Sequence, residues 1–374
     1  MSFQIYAGSL TRPMPQYESA SGEGITLLSI NDAGTRTAPH VVEDQFDDTI
    51  WIVRDRAGEF LYSTFETSDG DQSYIAAFRI EKRTGDLTLI NSQPTGGNEA
   101  CHATLSSDGR YLLVANYNGE GFEGLPDQSM TVFPVLGDGG LGEPTATIRY
   151  VGRGPRQDRQ TRPHAHCVEQ RPGTNDFYVA DLGLDRIAVY ALSHDGQLIH
   201  KPGCDVTLEP GDGPRHLVFS ADGKRMFVVC ELNAKVLSFA LSEPQGQAHL
   251  IDSFGIGASN GIEAQPSGIV LTKTADTLFV ALRGCDEILT LPVTSQGLLL
   301  EAVRSPCGGQ TPRDIKLLPT ERHLLVANQN SSTISVLPID KHTCAVADPV
   351  TQIEVGTPMV ISVHPLNDPT HFQS

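Results

Sequence analysis

Residues 226–239 read MFVVCELNAKVLSF: an apolar run, a polar bend, and a second apolar run. Short apolar alternation bounded by polar bends is the signal of a half-buried strand pair. The same pattern recurs in QIYAGSL (4–10), FLYSTFE (60–66), YLLVANYN (111–118), FYVADLGLDRIAVY (177–190), LFVALRGCDEILTL (278–291) and LLVANQNSSTISVL (324–337). Aligned on Ala7, Ser63, Ala115, Ala180, Val229, Ala281 and Ala327, these runs are spaced by 46 to 65 residues. A fixed period of this size marks a repeat architecture.

Each unit carries an apolar strand, an Asp-Gly turn such as Ser107-Asp108-Gly109 or Ala221-Asp222-Gly223, the aligned strand, and two further strands. Helical periodicity is weak, and 36 glycines with 24 prolines suit many turns. The repeat predicts an all-β, seven-bladed β-propeller with four-stranded antiparallel blades, forming one domain over 1–374. MVISVHP (359–365) resembles the first strand of a unit and QIYAGSL the second. Paired, they would complete one blade and close the ring, leaving no open sheet edge. The longest interval holds two insertions, 118–130 and 150–165. Long loops in a compact fold are often functional.

The charge is −18, with 45 acidic against 27 basic residues. That balance argues against nucleic acid and against an anionic membrane surface. No apolar run is long enough for a membrane-spanning helix, and the N-terminal residues lack a signal-peptide pattern. The seven scattered cysteines, with no CxxC pair, read as buried thiols in a reducing compartment, so a cytoplasmic location is expected. Four arginines (Arg153, Arg156, Arg159, Arg162) against Asp158 give residues 151–165 a local charge of +3.

In a propeller the innermost strands line a central channel. The residue 13 or 14 positions before the aligned one is His102, His166 and His216 in three consecutive units, which predicts a histidine ring near one mouth. Two residues after the aligned position lie Glu231 and Arg283, and Arg215 precedes His216. A charge ending an apolar strand is costly unless it is paired or faces water. His166, Arg215, Glu231 and Arg283 can therefore converge as a catalytic set. Histidine moves protons near neutral pH, a carboxylate acts as a base or orients water, and guanidiniums clamp an anion or a developing oxyanion, so either His166 or Glu231 could activate the water. His102, His164, His216 and Arg162 are expected around the substrate. His164-Ala165-His166 could chelate a metal only with a third ligand that the spacing does not identify, so no metal and no cofactor are expected. No Gly-x-Ser-x-Gly elbow is present to support a serine hydrolase.

Five stretches carry a resemblance to a known family: 100–118, 158–168, 177–190, 211–236 and 308–337, with PHAH, GPRH, CELN and TPRD in that order. The chain resembles the propeller lactonases, the family of the propeller-type bacterial 6-phosphogluconolactonases and of fungal 3-carboxymuconate cyclase. The resemblance implies a metal-independent site at the channel mouth. The cyclase's histidine, two arginines and glutamate fall on His166, Arg215, Arg283 and Glu231. Relatives often carry an acidic residue and a histidine where this chain has Gly268 and Val270, and Asn where it has Leu282. The implied activity is hydrolysis of a sugar lactone, with 6-phosphogluconolactone as the leading substrate. The alternatives are a non-phosphorylated sugar-acid lactone and muconate cyclisation. A protein-binding propeller is the non-enzymatic alternative, disfavoured by the lack of Trp-Asp repeats and the single tryptophan, Trp51. Oligomeric state is left open.

Overall fold

The structure, a computed structural model, describes residues 1–13, 20–32, 34, 36–65, 72–118, 127–340 and 343–366. The insertion at 118–130 lies partly outside these residues. Seven antiparallel sheets follow one another along the chain. Their innermost strands are Thr49–Arg54, Asn98–Leu105, Ala165–Gln170, Pro214–Phe219, Gln265–Leu271, Pro312–Leu317 and Pro358–Pro365, here taken as blades one to seven. Each packs beside the next, and the seventh packs beside the first, so the sheets form a ring. Six sheets have four strands. Blade three gains a fifth short piece, Val206–Thr207, paired to Arg186–Leu192.

Closure occurs as the repeat predicts. Pro358–Pro365 is the inner strand of blade seven and pairs with Ser2–Ser9, with Ile361 opposite Ala7. Seven apolar clusters fill the seven gaps between neighbouring blades. One example joins blades three and four through Tyr178, Val189, Leu217, Met226, Val228 and Leu237. Alternating residues on both faces of each blade meet these gaps, which is why the aligned strands read as near-continuous apolar runs.

The inner strands share one irregularity. Each has a β-bulge near its start, which puts Ile50, Cys101, His166, Arg215, the pair Ser267 and Gly268, Arg313 and Met359 outside the regular pairing with the second strand. In five blades the residue two before the bulged one has left-handed φ: Asp48 (57°), Glu99 (53°), Gly213 (62°), Thr311 (56°) and Thr357 (36°). Bulges re-aim side chains at barrel rims and next to active sites. Here a ring of them sits at one mouth of the channel.

The bulges correct the expected histidine ring. His102 and His216 occupy regular positions, opposite Ala115 and Val229. His166 is a bulged residue, and the regular position in its strand belongs to Cys167, opposite Ala180. The three histidines therefore lie on two levels, with His166 at the mouth and the other two below it.

Candidate active site

A cavity of about 410 Å³ opens at the bulged mouth. The inner strands contribute Cys101, His166, Arg215 and Arg313. The ends of second strands contribute Tyr117, Glu231 and Arg283, and Arg159 enters from the segment between blades two and three. A constriction of about 10 Å³ beneath it is lined by Trp51, His216, Asp314 and Met359 among others. Two wider grooves, of about 850 and 650 Å³, lie off the axis, between blades six and seven and beside blades one to three. In the second groove Arg54, Arg56 and Arg171 are balanced by Asp55, Asp108 and Glu169, whereas the axial cavity has an excess of basic residues.

Glu231 is the hub. Its Oε2 accepts from Arg215 Nε (3.0 Å) and Arg283 Nη2 (2.7 Å), and its Oε1 accepts from Arg159 Nη2 (2.6 Å). Burial works to raise its carboxyl pKa, but Arg283, Arg215 and Arg159 outweigh burial and hold it well below the usual range. The carboxylate is thus ionised, with both oxygens engaged. Burial and the charge of Arg283 bring Arg215 down to about 10, against the pull of Glu231. Arg215 Nη1 donates to His216 Nε2 (3.2 Å), so His216 is neutral at that nitrogen.

His166 is held well below its ordinary pKa, first by burial and then by Arg215. It is a neutral imidazole at physiological pH. Its Nδ1 faces Cys101 Sγ at 3.9 Å, a weak contact. The wall beside it is Tyr117, edge-on to His166 (5.5 Å between ring centres) and stacked on His164 (4.1 Å). His164 Nδ1 bonds the Tyr117 carbonyl oxygen (2.9 Å), and burial lowers its pKa to about 4.

The segment carrying Arg159 is built in, not draped over. Gln160 is fully buried, and its Nε2 donates to the Leu182 carbonyl and Asp185 Oδ1 (both 2.8 Å). Gly183 is required there, because a Cβ would fall 2.0 Å from the Arg162 carbonyl oxygen. Of the four arginines in this segment, only Arg159 reaches the cavity. Arg156 folds back on Asp158 and the Leu232 carbonyl. Arg162 lies outside the cavity lining, with its charge felt by Glu99 and His164.

The candidate catalytic set, His166, Arg215, Glu231 and Arg283, comes together. The candidate substrate contacts do not all do so. His102 lines neither space. It stacks on Trp51 (4.0 Å), which also meets His216 edge-on (5.5 Å) and carries Lys316 over its ring (5.0 Å). Together these side chains plug the channel.

Among the described residues, one group of three potential metal donors exists: His102, Cys167 and Glu169, within 4.8 Å of one another. The Val168 N–H donates to His102 Nδ1 (3.4 Å), which leaves the ring proton on Nε2, and the charge of Lys316 bears on His102. Both oppose a cation there. His164 and His166 gather no third donor among the described residues.

Sequence reasoning missed Arg159, Arg313, Tyr117 and Glu99 as cavity residues. For Arg313 a signal existed: it stands 14 positions before Ala327, as Arg215 does before Val229 and His166 before Ala180. The Gly268 departure also has a physical reason. A Cβ there would lie 3.1 Å from Ile315 N, where blades five and six meet, so an acidic side chain needs a backbone shift.

Residues 4–363 match the family model described as Lactonase, 7-bladed beta-propeller. The chain belongs to the seven-bladed β-propeller lactonase family. It is thus a lactonase, which hydrolyses a cyclic ester. This lactonase is 29% identical to a 6-phosphogluconolactonase of Bacillus subtilis, over 87% of its own length and 90% of the relative's. It is 27% identical to a 6-phosphogluconolactonase of Formosa agariphila, over 91% and 93%. It superposes on a periplasmic gluconolactonase of Pseudomonas aeruginosa with a TM-score of 0.87 and 27% identity, covering 98% of this lactonase and all of that chain. No helix among the described residues is long and apolar enough to cross a membrane.

Proposed function

We propose that this lactonase opens an anionic sugar lactone, with 6-phosphoglucono-1,5-lactone as the substrate that fits best. The observation that carries the reading is the charge of the cavity. Four guanidiniums (Arg159, Arg215, Arg283, Arg313) face two carboxylates (Glu99, Glu231) on a chain whose net charge is −18. A local excess of two positive charges in a concave mouth draws and holds an anion against the repulsion of the whole. The names of the B. subtilis and F. agariphila relatives support the same substrate.

The residue roles follow from the protonation states. His166 is neutral and takes a proton from the attacking water as its oxygen adds to the lactone carbonyl. Arg215 and Arg283, fixed by Glu231, stabilise the negative charge that develops on the carbonyl oxygen. The bond to the ring oxygen then breaks, and the imidazolium returns its proton to that oxygen. The hydroxy acid formed ionises and releases one proton to solvent. Glu231, with both oxygens occupied, serves the ligand-free site as an anchor for the arginines and not as a base.

A pH-stat assay over a lactone panel tests the reading. Expected is a kcat/KM for the 6-phosphorylated lactone roughly 10- to 100-fold above that for glucono-1,5-lactone, the worth of one charge-assisted contact. Equal or reversed preference would move the substrate to a non-phosphorylated lactone, the reading that the P. aeruginosa gluconolactonase supports. Ring closure of a carboxymuconate, run in the same panel, tests the cyclase alternative. Five of the seven cysteines are buried, which supports a reducing, cytoplasmic compartment.

A further inference from the structure

The two oxygens of Glu231 are held unequally. Oε2 is gripped by Arg215 and Arg283, whose side chains are only 3% and 15% exposed. Among the described residues Oε1 is held by Arg159 alone, whose side chain is 39% exposed and stands at the cavity rim. Among the described residues, that guanidinium's one other contact is long, 3.5 Å, to the Tyr117 hydroxyl. Arg159 is therefore the one arginine of the three that can leave Glu231 without unmaking the buried pair beneath. Its backbone does not have to move, because Gln160 and Asp185 fix the segment from below.

Resting on the lactonase reading above, we infer that Arg159 is a substrate-operated catch on Glu231: the anionic group of the substrate takes the Arg159 guanidinium, and Glu231 Oε1 is released to hold the attacking water. No covalent bond changes in the exchange. One charge-assisted hydrogen bond, arginine to carboxylate, is replaced by another, arginine to the substrate's phosphate or carboxylate. The freed oxygen accepts one O–H of the water while His166 removes the other proton. The groups facing Glu231 in the swapped state are Arg215 from blade four, Arg283 from blade five, His166 and His164 from blade three, and Tyr117 from blade two, with Arg313 and Glu99 further along the cavity. Two guanidiniums still hold Oε2, so the carboxylate stays ionised when Arg159 departs. A neutral lactone cannot draw the catch, and it meets an occupied Oε1. The site thus selects anionic substrates through the reaction step as well as through binding.

The experiment compares Arg159→Ala and Arg159→Lys with the unmodified protein on a phosphorylated and a neutral sugar lactone. Expected for Arg159→Ala is a loss of roughly 10- to 100-fold in kcat/KM on the phosphorylated lactone, with kcat on the neutral lactone raised because Oε1 is free; a neutral-lactone kcat that does not rise would overturn the release of Oε1. Arg159→Lys should recover part of the loss. Inorganic phosphate, added in trans, should accelerate the neutral lactone with the unmodified protein and not with Arg159→Ala. Equal losses on both lactones, or no loss on either, would overturn the inference, because a merely structural arginine does not distinguish substrate charge. Calorimetric titration with inorganic phosphate gives a readout independent of lactonase activity: binding weakened about tenfold or more in Arg159→Ala supports the catch, and equal binding overturns it. A protein that opens none of the lactones fails the reading of function, and the phosphate titration still decides whether Arg159 receives the anion.

Discussion

One arc of the bulged ring is apolar and another carries two arginines and the neutral His166, with Ser267 and Gly268 of blade five between the two arginines, although the backbone device is the same. Met359, Ile50 and Cys101, from blades seven, one and two, pack with Leu10 as a small apolar cluster at the mouth. His166, Arg215 and Arg313, from blades three, four and six, face the reacting space. Burial is similar on the two arcs: Met359 is 2% exposed, Ile50 4%, Arg215 3% and His166 7%. The energetics are opposite. The apolar arc gains from leaving water, whereas buried Arg215 in the charged arc is tolerable only because Glu231 compensates its guanidinium. The fold thus supplies aim without chemistry. Which residue sits on the bulge decides whether a blade contributes packing or reactivity.

The comparison breaks most severely at Glu231. Glu231→Gln leaves Arg215 and Arg283 buried without their counter-charge, and a fall of about 1000-fold in kcat/KM is expected, with unfolding stability down by about 3 kcal/mol. Stopped assays with denaturant titration read both; a variant of ordinary stability would mean that the charges do not depend on one another. His166→Gln tests reactivity without packing. Its kcat should fall by about 100-fold while the denaturation midpoint barely moves, since no ion pair is lost.

Met359→Ala is the mirror case. Deleting a buried side chain from the apolar arc should cost about 2 kcal/mol in a urea titration and leave the lactonase rate within about threefold. A large rate loss there would show that the arcs are coupled. The smallest effect concerns pH. His164 stays neutral in the folded protein down to about 4, whereas an unfolded histidine protonates near 6.5. Between those values the unfolded chain binds the extra proton, so stability falls as pH drops through that window. His164→Asn should remove about 1 kcal/mol of that acid sensitivity at pH 6, measured as the difference in unfolding free energy between pH 6 and pH 7.5.

The ring was legible in the sequence because period-2 runs and Asp-Gly turns depend on local chemistry, and local chemistry repeats. Closure was legible too, since MVISVHP lacks a following partner and QIYAGSL a preceding one. The convergence of His166, Arg215, Glu231 and Arg283 followed from repeat position. The level of each histidine did not. A bulge inserts one residue, and a spacing of 13 or 14 merges two levels that the structure separates. Cys101, His166, Arg215 and Arg313 all stand 14 before their aligned residue, whereas His102, His216 and Asp314 stand 13 before it. Arg159 was harder to find, because it lies outside the repeat. Its place is set by Gln160 buried against Leu182 and Asp185, a tertiary contact with no periodic trace.

The pairing of Pro358–Pro365 with Ser2–Ser9 also has a consequence for biogenesis. During synthesis, six complete blades leave the ribosome while the strand at Ser2–Ser9 lacks its inner partner. An unpaired edge of that kind is a template for wrong pairing. Contacts this distant in sequence form slowly. The mouth is finished only when the latch arrives, because Met359 completes the bulged ring and the Thr357 carbonyl receives the Leu10 N–H (3.1 Å). A nascent chain stalled before residue 358 would therefore hold every charged residue of the site and still lack the wall that encloses it.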